Sequence, residues 1–240
     1  VPTSSLRADD PAPAIAREGQ PIVVLFAVVF AGLVLALVLL GAPSWAVIVA
    51  SVVALALTGW CVWFFRDPQR ALPADPSLVL CAADGVIMRI DEAHLPGEVA
   101  EAMVQAGHTP PQRCVRVVTF LNVFDVHVNR SPVQGKVVAI ARGEGGFAHA
   151  GKPEADHNQR LTLALRMPDG RYAASTQLTG LIARRIICRA KAGEHYRAGQ
   201  RYGLIRFGSR TDVYLPLGTQ VLVQVGQRVQ GGSDALARLK

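Results

Sequence analysis

The sequence predicts a mainly β (α+β) chain, a lipoyl-like β-sandwich domain preceded by a transmembrane helical hairpin. Three observations predict it. Residues 21–65 hold two uncharged apolar runs separated by GAPS. From residue 115 onward, short β-branched runs of strand length are punctuated by Gly, Pro, Asp and Asn. The last stretch, LPLGTQVLVQVGQRVQGGSDALARL, has the strand, turn and glycine spacing of half a lipoyl-like sandwich.

In chain order, residues 1–20 are a polar leader of mixed charge, with Arg7 and Arg17 against Asp9, Asp10 and Glu18. The membrane hairpin follows at 21–65, its spans at 21–40 and 45–65. A helix crossing the hydrocarbon needs about 20 apolar residues, and each run supplies them. Gly41, Pro43 and Ser44 break the helix between them. A signal peptide fits poorly: the apolar stretch is too long and no small-residue cleavage site precedes the domain. Arg7 and Arg17 before the hairpin and Arg66 and Arg70 after it, with an uncharged loop, place both termini and the catalytic domain on the cytoplasmic face of the cell (inner) membrane. Trp45, Trp60 and Trp63 lie near the ends of the second span, where interfacial anchors sit.

The domain at 66–240 opens with FFRDPQR and a Pro-rich linker, ALPADPS. VRVVTFL, GKVVAIAR, RLTLALRM, RRIICRA, TDVYLPL and TQVLVQV each read as a strand. Helical periodicity is confined to about 92–106, DEAHLPGEVAEAMVQ, where Pro96 and Gly97 interrupt it. The chain has 240 residues, half of them hydrophobic, and a formal charge of +7, which favours anionic partners. Its basic residues are scattered singly, without the aromatic interleaving of a nucleic-acid surface, so no nucleic acid is expected and an anionic lipid surface fits better. The four cysteines form no CxxC pair and no metal-ligand spacing, which predicts reduced thiols and no metal site.

Three polar stretches stand amid strand residues: AADGV at 82–86, FLNVFDVHVNRSP at 120–132 and RFGSRTDVYLP at 206–216. In the last, Gly208 presents an unhindered carbonyl to Ser209, whose hydroxyl can reach back in an N-to-O acyl shift. In the second, His127 is a candidate base, because an unperturbed imidazole ionises near neutral pH and suits proton transfer. In the first, Asp84 is a carboxylate of the kind that orients a histidine. Read singly, the Gly-Ser and Asp-Gly pairs mark turns, and His127 is a satisfied strand histidine.

Taken together, FFRDPQR, ADGV, FLNVFDVHVNRSPVQG, QLTGLIARRIICRA and YGLIRFGSRTDVYLP resemble the short-form phosphatidylserine decarboxylase family, in that family's order, from about residue 60 to about residue 235. The resemblance implies self-cleavage between Gly208 and Ser209. A large chain then ends at Gly208 and a 32-residue small chain begins at Ser209, converted to a covalent pyruvoyl group. It implies that Asp84 and His127 belong to the processing and catalytic site. Longer members carry a second histidine three positions on, where this chain has Arg130, so either His127 serves both steps or Arg130 takes part.

The implied reaction forms a Schiff base between the lipid amine and the pyruvoyl ketone, releases CO2 and yields phosphatidylethanolamine. The pyruvoyl group replaces pyridoxal phosphate, for which none of Lys136, Lys152, Lys191 and Lys240 lies in a recognisable motif, and no metal is called for. Arg130 and Arg210 are candidates for holding the phosphate or carboxylate. The expected partners are phosphatidylserine in the membrane and the two chains of one precursor, with a homodimer left open. Two rivals remain at this level. One is a membrane-tethered lipoyl-like binding module without catalysis, although no lysine stands at the hairpin expected for lipoate or biotin. The other is a metallopeptidase, although DVHVN lacks paired HxH ligands.

Overall fold

The structure is a computed structural model that describes residues 14–181, 185–206 and 209–239. It divides into two compact units, one reaching to Gln69 and one starting at Arg70.

The first unit is two apolar helices, α1 (Gln20–Leu39) and α2 (Ser44–Phe64). Neither has a polar face, and apolar side chains stand exposed along both, Leu39 at 77% and Leu55 at 74%. Leaving such surface in water costs about 25 cal/mol per Å². By length and composition each helix suffices to cross a membrane. The segments that enter and leave the pair meet: Ile15 and Arg66 form an antiparallel bridge, and the Ala16 N–H donates to the Phe65 carbonyl at 2.7 Å. The pair is therefore a hairpin with both ends on one side. At its exit the Arg66 guanidinium lies 4.3 Å from the Trp63 ring centroid, a cation–π contact.

The second unit is mostly β, as the sequence predicts. In order it contains β1 (Leu78–Leu80), β2 (Gly85–Ala93), α3 (Gly97–Gln105), β3 (Cys114–Leu121), β4 (Val128–Arg130), β5 (Gly135–Gly143), β6 (Arg160–Arg166) and β7 (Tyr172–Leu178). There follow β8 (Arg185–Cys188), β9 (His195–Tyr196), β10 (Arg201–Arg206), β11 (Ser209–Pro216), β12 (Gln220–Val221), β13 (Arg228–Val229) and β14 (Ala235–Arg238). An eight-stranded sheet has the order β13-β2-β3-β11-β7-β6-β5-β9, and two three-stranded sheets run β4-β10-β8 and β1-β14-β12.

Alternation along the strands sends Val117, Leu163, Leu165, Val213 and Leu215 to one face of the large sheet, where they pack with Val79, Ile87, Tyr196 and Tyr202. Each such burial contributes about 1.5–3 kcal/mol. The opposite face is covered by α3, whose Val99 and Met103 meet Val138, Ala164, Ala174 and Tyr214. The helix starts at Gly97, with Pro96 as its N-cap, because proline's fixed φ and missing N–H are tolerated there. Residues 92–93, expected in this helix, instead end β2. TQVLVQV is a strand over Gln220–Val221, followed by one further bond from the Leu222 N–H to the Leu236 carbonyl at 3.0 Å, and Val225 is exposed. YAASTQL, which lacks a β-branched apolar run, forms the interior strand β7.

Candidate active site

Two crossings between sheets run side by side at one end of the β unit. β3 ends at Leu121 in the large sheet, and the chain passes through 122–127 into β4 of the small sheet. β10 ends at Arg206 in that small sheet, and β11 begins at Ser209 in the large one. Register locks the two crossings together: Ser209 is opposite Leu121, and the Ile205 N–H donates to the His127 carbonyl at 3.2 Å. The turn before β2 joins them, since Val86 is opposite Phe120 and the Ala82 carbonyl accepts from the Arg130 N–H at 2.8 Å. Gly85 permits this approach, because a Cβ there would fall 2.1 Å from the Phe120 carbonyl oxygen. One end of the fold thus collects Asp84, His127 and Ser209. Gly208, the other half of the expected cleavage pair, lies outside the described residues.

Ser209 is fully buried, and its Oγ has no hydrogen-bond partner among the described residues. A buried hydroxyl left unpaired costs about 1–3 kcal/mol. The period of two puts Ser209 on the face of Thr211, whose Oγ1 accepts from Asn129 Nδ2 of the facing sheet at 3.3 Å. Asn129 Oδ1 in turn accepts from Gln177 Nε2 at 2.7 Å. A polar layer of Asn129, Gln177 and Thr211, all buried, therefore extends inward from Ser209.

His127 is also fully buried, with Nδ1 at 2.9 Å from the Asp125 carbonyl oxygen. A carbonyl only accepts, so Nδ1 carries the proton and Nε2 is the basic nitrogen of the neutral ring. The Asp125 carboxylate braces this crossing, accepting from the Asn122 N–H at 2.9 Å and from Arg228 Nη1 at 2.7 Å. Asp84 is gripped from two sides, by Arg70 Nη2 at 2.6 Å and by the Gly231 N–H at 2.8 Å. Arg70 also donates to Gln230 Oε1 at 2.6 Å.

The two candidate arginines are placed differently. Arg130 sits inside the fold, donating from Nη1 to the Gly199 carbonyl at 3.3 Å. Arg210 points to the other face of β11, away from the polar layer. There it forks onto Asp212 with two 2.6 Å contacts and reaches Asp156 Oδ1 at 2.6 Å. Arg116 and Arg89 bind Asp91 and Asp156 in the same network. Burial pushes the Asp212 carboxyl above its usual value despite Arg210 and Arg116. Burial would likewise raise Asp156, but Arg210 and Arg89 outweigh it and hold that carboxyl low. Burial would lower Arg210, but Asp212 and Asp156 hold it above the ordinary arginine range. This network borders a cavity of about 230 Å³ lined by Arg116, Arg160, Arg210, His94 and His157.

All four cysteines are unpaired, and burial pushes the thiols of Cys114 and Cys188 up to about 11. Asn129, Gln177 and Thr211 were not foreseen from the sequence. Their one linear signal is a run of polar residues inside segments of strand length.

The family model described as phosphatidylserine decarboxylase matches residues 57–237. The phosphatidylserine decarboxylase proenzyme of Cereibacter sphaeroides is 42% identical over 225 residues, covering 93% of this chain and 89% of that protein. The like-named protein of Burkholderia multivorans is 41% identical over 233 residues, covering 96% and 98%. That of Granulibacter bethesdensis is 48% identical over 186 residues, covering 77% and 73%.

Proposed function

The chain belongs to the phosphatidylserine decarboxylase family, and on that premise we propose that it cuts its own backbone before Ser209 and decarboxylates its lipid through a pyruvoyl group made from that serine. The observation that carries this reading is the Ser209 hydroxyl, buried and without a hydrogen-bond partner among the described residues, at the start of β11. Such a hydroxyl is a cost that a purely structural serine would relieve with a hydrogen bond. A binding module without catalysis leaves it without a role.

In the maturation step, Ser209 Oγ adds to the carbonyl carbon of residue 208, the C–N bond breaks and an ester replaces the peptide. His127 Nε2 takes the hydroxyl proton and returns a proton to the freed nitrogen. A base then removes the Ser209 α-proton, the Cβ–O bond breaks, and the upstream chain leaves as a carboxylate. The dehydroalanine left behind tautomerises, and water replaces its nitrogen, released as ammonia, to give the ketone. His127 is the base, with its ring orientation set by the Asp125 carbonyl. Asp84, held by Arg70 and Gly231, supplies the negative charge that stabilises His127 once it is protonated.

The surroundings fit the group, since the polar layer beside Ser209 offers hydrogen-bonding partners in a site closed to water. Once formed from Ser209, the pyruvoyl group would supply the electron sink for the pair left as CO2 departs. His127 then delivers the proton to the α-carbon. Arg210, bound by Asp212 and Asp156, acts as a brace for β11, and Arg130 likewise as an internal strut.

The apolar hairpin holds the enzyme in the bilayer that contains its substrate and raises the effective concentration of lipid at the site. Hairpin ends that meet, with Arg17 before the pair and Arg66 and Arg70 after it, support a catalytic unit on the cytoplasmic face of the inner membrane. The test is a denaturing gel: wild-type protein separates into chains of 208 and 32 residues, and Ser209→Ala stays whole. A wild-type chain that never divides contradicts the reading.

A further inference from the structure

On the face of the sheet that holds Ser209 a second buried oxygen accepts no hydrogen bond among the described residues. Gln177 is fully buried, and its Nε2 donates to Asn129 Oδ1 at 2.7 Å and to the Ile187 carbonyl at 3.3 Å. The Ile187 carbonyl can only accept, so the amide orientation is fixed with its nitrogen on those two partners. Gln177 Oε1 is left buried with no hydrogen bond among the described residues. The strand that the amide crosses is adapted to it, because a Cβ at Gly203 would lie 2.2 Å from the Ile187 carbonyl oxygen and 2.9 Å from Gln177 Nε2. Register puts Gln177 on the same face of the large sheet as Ser209. Gln177 is opposite Thr211, two residues from Ser209 on the same face, and a long side chain reaches such a diagonal neighbour.

We infer that Gln177 Oε1 is the acceptor that receives the primary amine of the substrate beside residue 209. This deepens the proposed function and rests on it. An amine brought against the ketone carries N–H donors into a buried face, and Gln177 offers an oxygen already held in place to take one. The acceptor's neutrality matters as much as its position. Condensation uses the nitrogen lone pair, and the ketone oxygen leaves as water, so the amine must first lose its extra proton. A carboxylate at 177 would stabilise the ammonium and raise its pKa, whereas a carboxamide accepts the N–H without adding charge.

The test uses the full chain in phosphatidylcholine nanodiscs containing phosphatidylserine, with Gln177→Met and Gln177→Glu beside wild type. Cyanoborohydride delivers hydride to the new carbon–nitrogen bond, and the mass of the small chain reports capture of the amine. Borohydride alone reduces the ketone and reports that it formed. Q177M is expected to divide and to be reduced like wild type while capturing the amine at least about tenfold more slowly, the effect of one lost hydrogen bond to a charged or polarised group. Q177E is expected to capture with a pH profile displaced to higher pH, a readout that a packing role would not move. Q177M capturing within about twofold of wild type, or Q177E keeping the wild-type profile, overturns the inference. If Q177M fails to divide, the Q177E profile decides alone. A wild-type small chain without a reducible ketone sinks the parent reading instead.

Discussion

Nδ1 of His127 lies 2.9 Å from the backbone carbonyl oxygen of Asp125, two residues earlier in the chain. The ring's tautomer is therefore set by the main chain of its own crossing, and the shape of that crossing is set by the Asp125 side chain.

Removing that brace should loosen the crossing. Asp125→Ala loses the bonds from the Asn122 N–H and Arg228, and a stability loss of about 1–3 kcal/mol with slower self-cleavage is expected. Arg228 is 62% exposed, so Arg228→Gln should cost less than about 1 kcal/mol. Denaturant midpoints and cleavage time courses measure both. Equal losses for the two variants would place the stabilisation in the ion pair alone.

Self-cleavage should depend on pH through His127. The reaction needs the neutral ring, so its rate should fall as pH drops and the ring takes up a proton. His127→Gln should abolish the acid limb along with most of the rate. Refolding the chain across a pH series and following the small chain on gels reads this directly. A rate that is flat from pH 5 to 8 would remove His127 from the base role.

The ion network on the outer face should make the fold acid-sensitive. Hydrogen bonding from Arg116 holds Asp91 below its usual range, and Arg210 and Arg89, against the opposing effect of burial, do so for Asp156. Carboxyls depressed in the folded state stabilise it above their unfolded values and lose that contribution as pH falls through their folded values. Stability should therefore decline below about pH 4. Asp156→Asn should lower stability at neutral pH and flatten the acid decline. Thermal melts from pH 3 to 7 test it, and an acid slope unchanged in Asp156→Asn would refute it.

The hairpin should place its two ends together and its turn opposite. Single cysteines at Ala42 and Gln69 can be probed with an impermeant maleimide in intact spheroplasts. Labelling at 42 and protection at 69 is the expected pattern. The reverse would mean that the catalytic unit faces outward.

Much of the fold was legible because the segments GKVVAIAR, RLTLALRM and TDVYLPL carry the β-branched and alternating residues that a half-buried strand requires. β7 was not, because Ser175, Thr176 and Gln177 are polar yet buried, satisfied largely by partners distant in sequence. The same reason hid part of the site. Ser209, His127 and Asp84 stand in motifs that the resemblance identifies, whereas Asn129 and Gln177 acquire meaning only when β4 and β7 face each other. Arg210 shows the converse: its spacing from Asp212 is that of two residues on one face of a strand, and that pairing turns it away from Ser209.

The central claim rests on what stands at the start of the small chain. Intact-mass and fragment spectra of that chain from freshly purified protein are predicted to show it beginning at residue 209, lighter than the encoded sequence by one ammonia and reducible by borohydride. An unmodified serine at that position, in a preparation that still converts phosphatidylserine to phosphatidylethanolamine, would contradict the account.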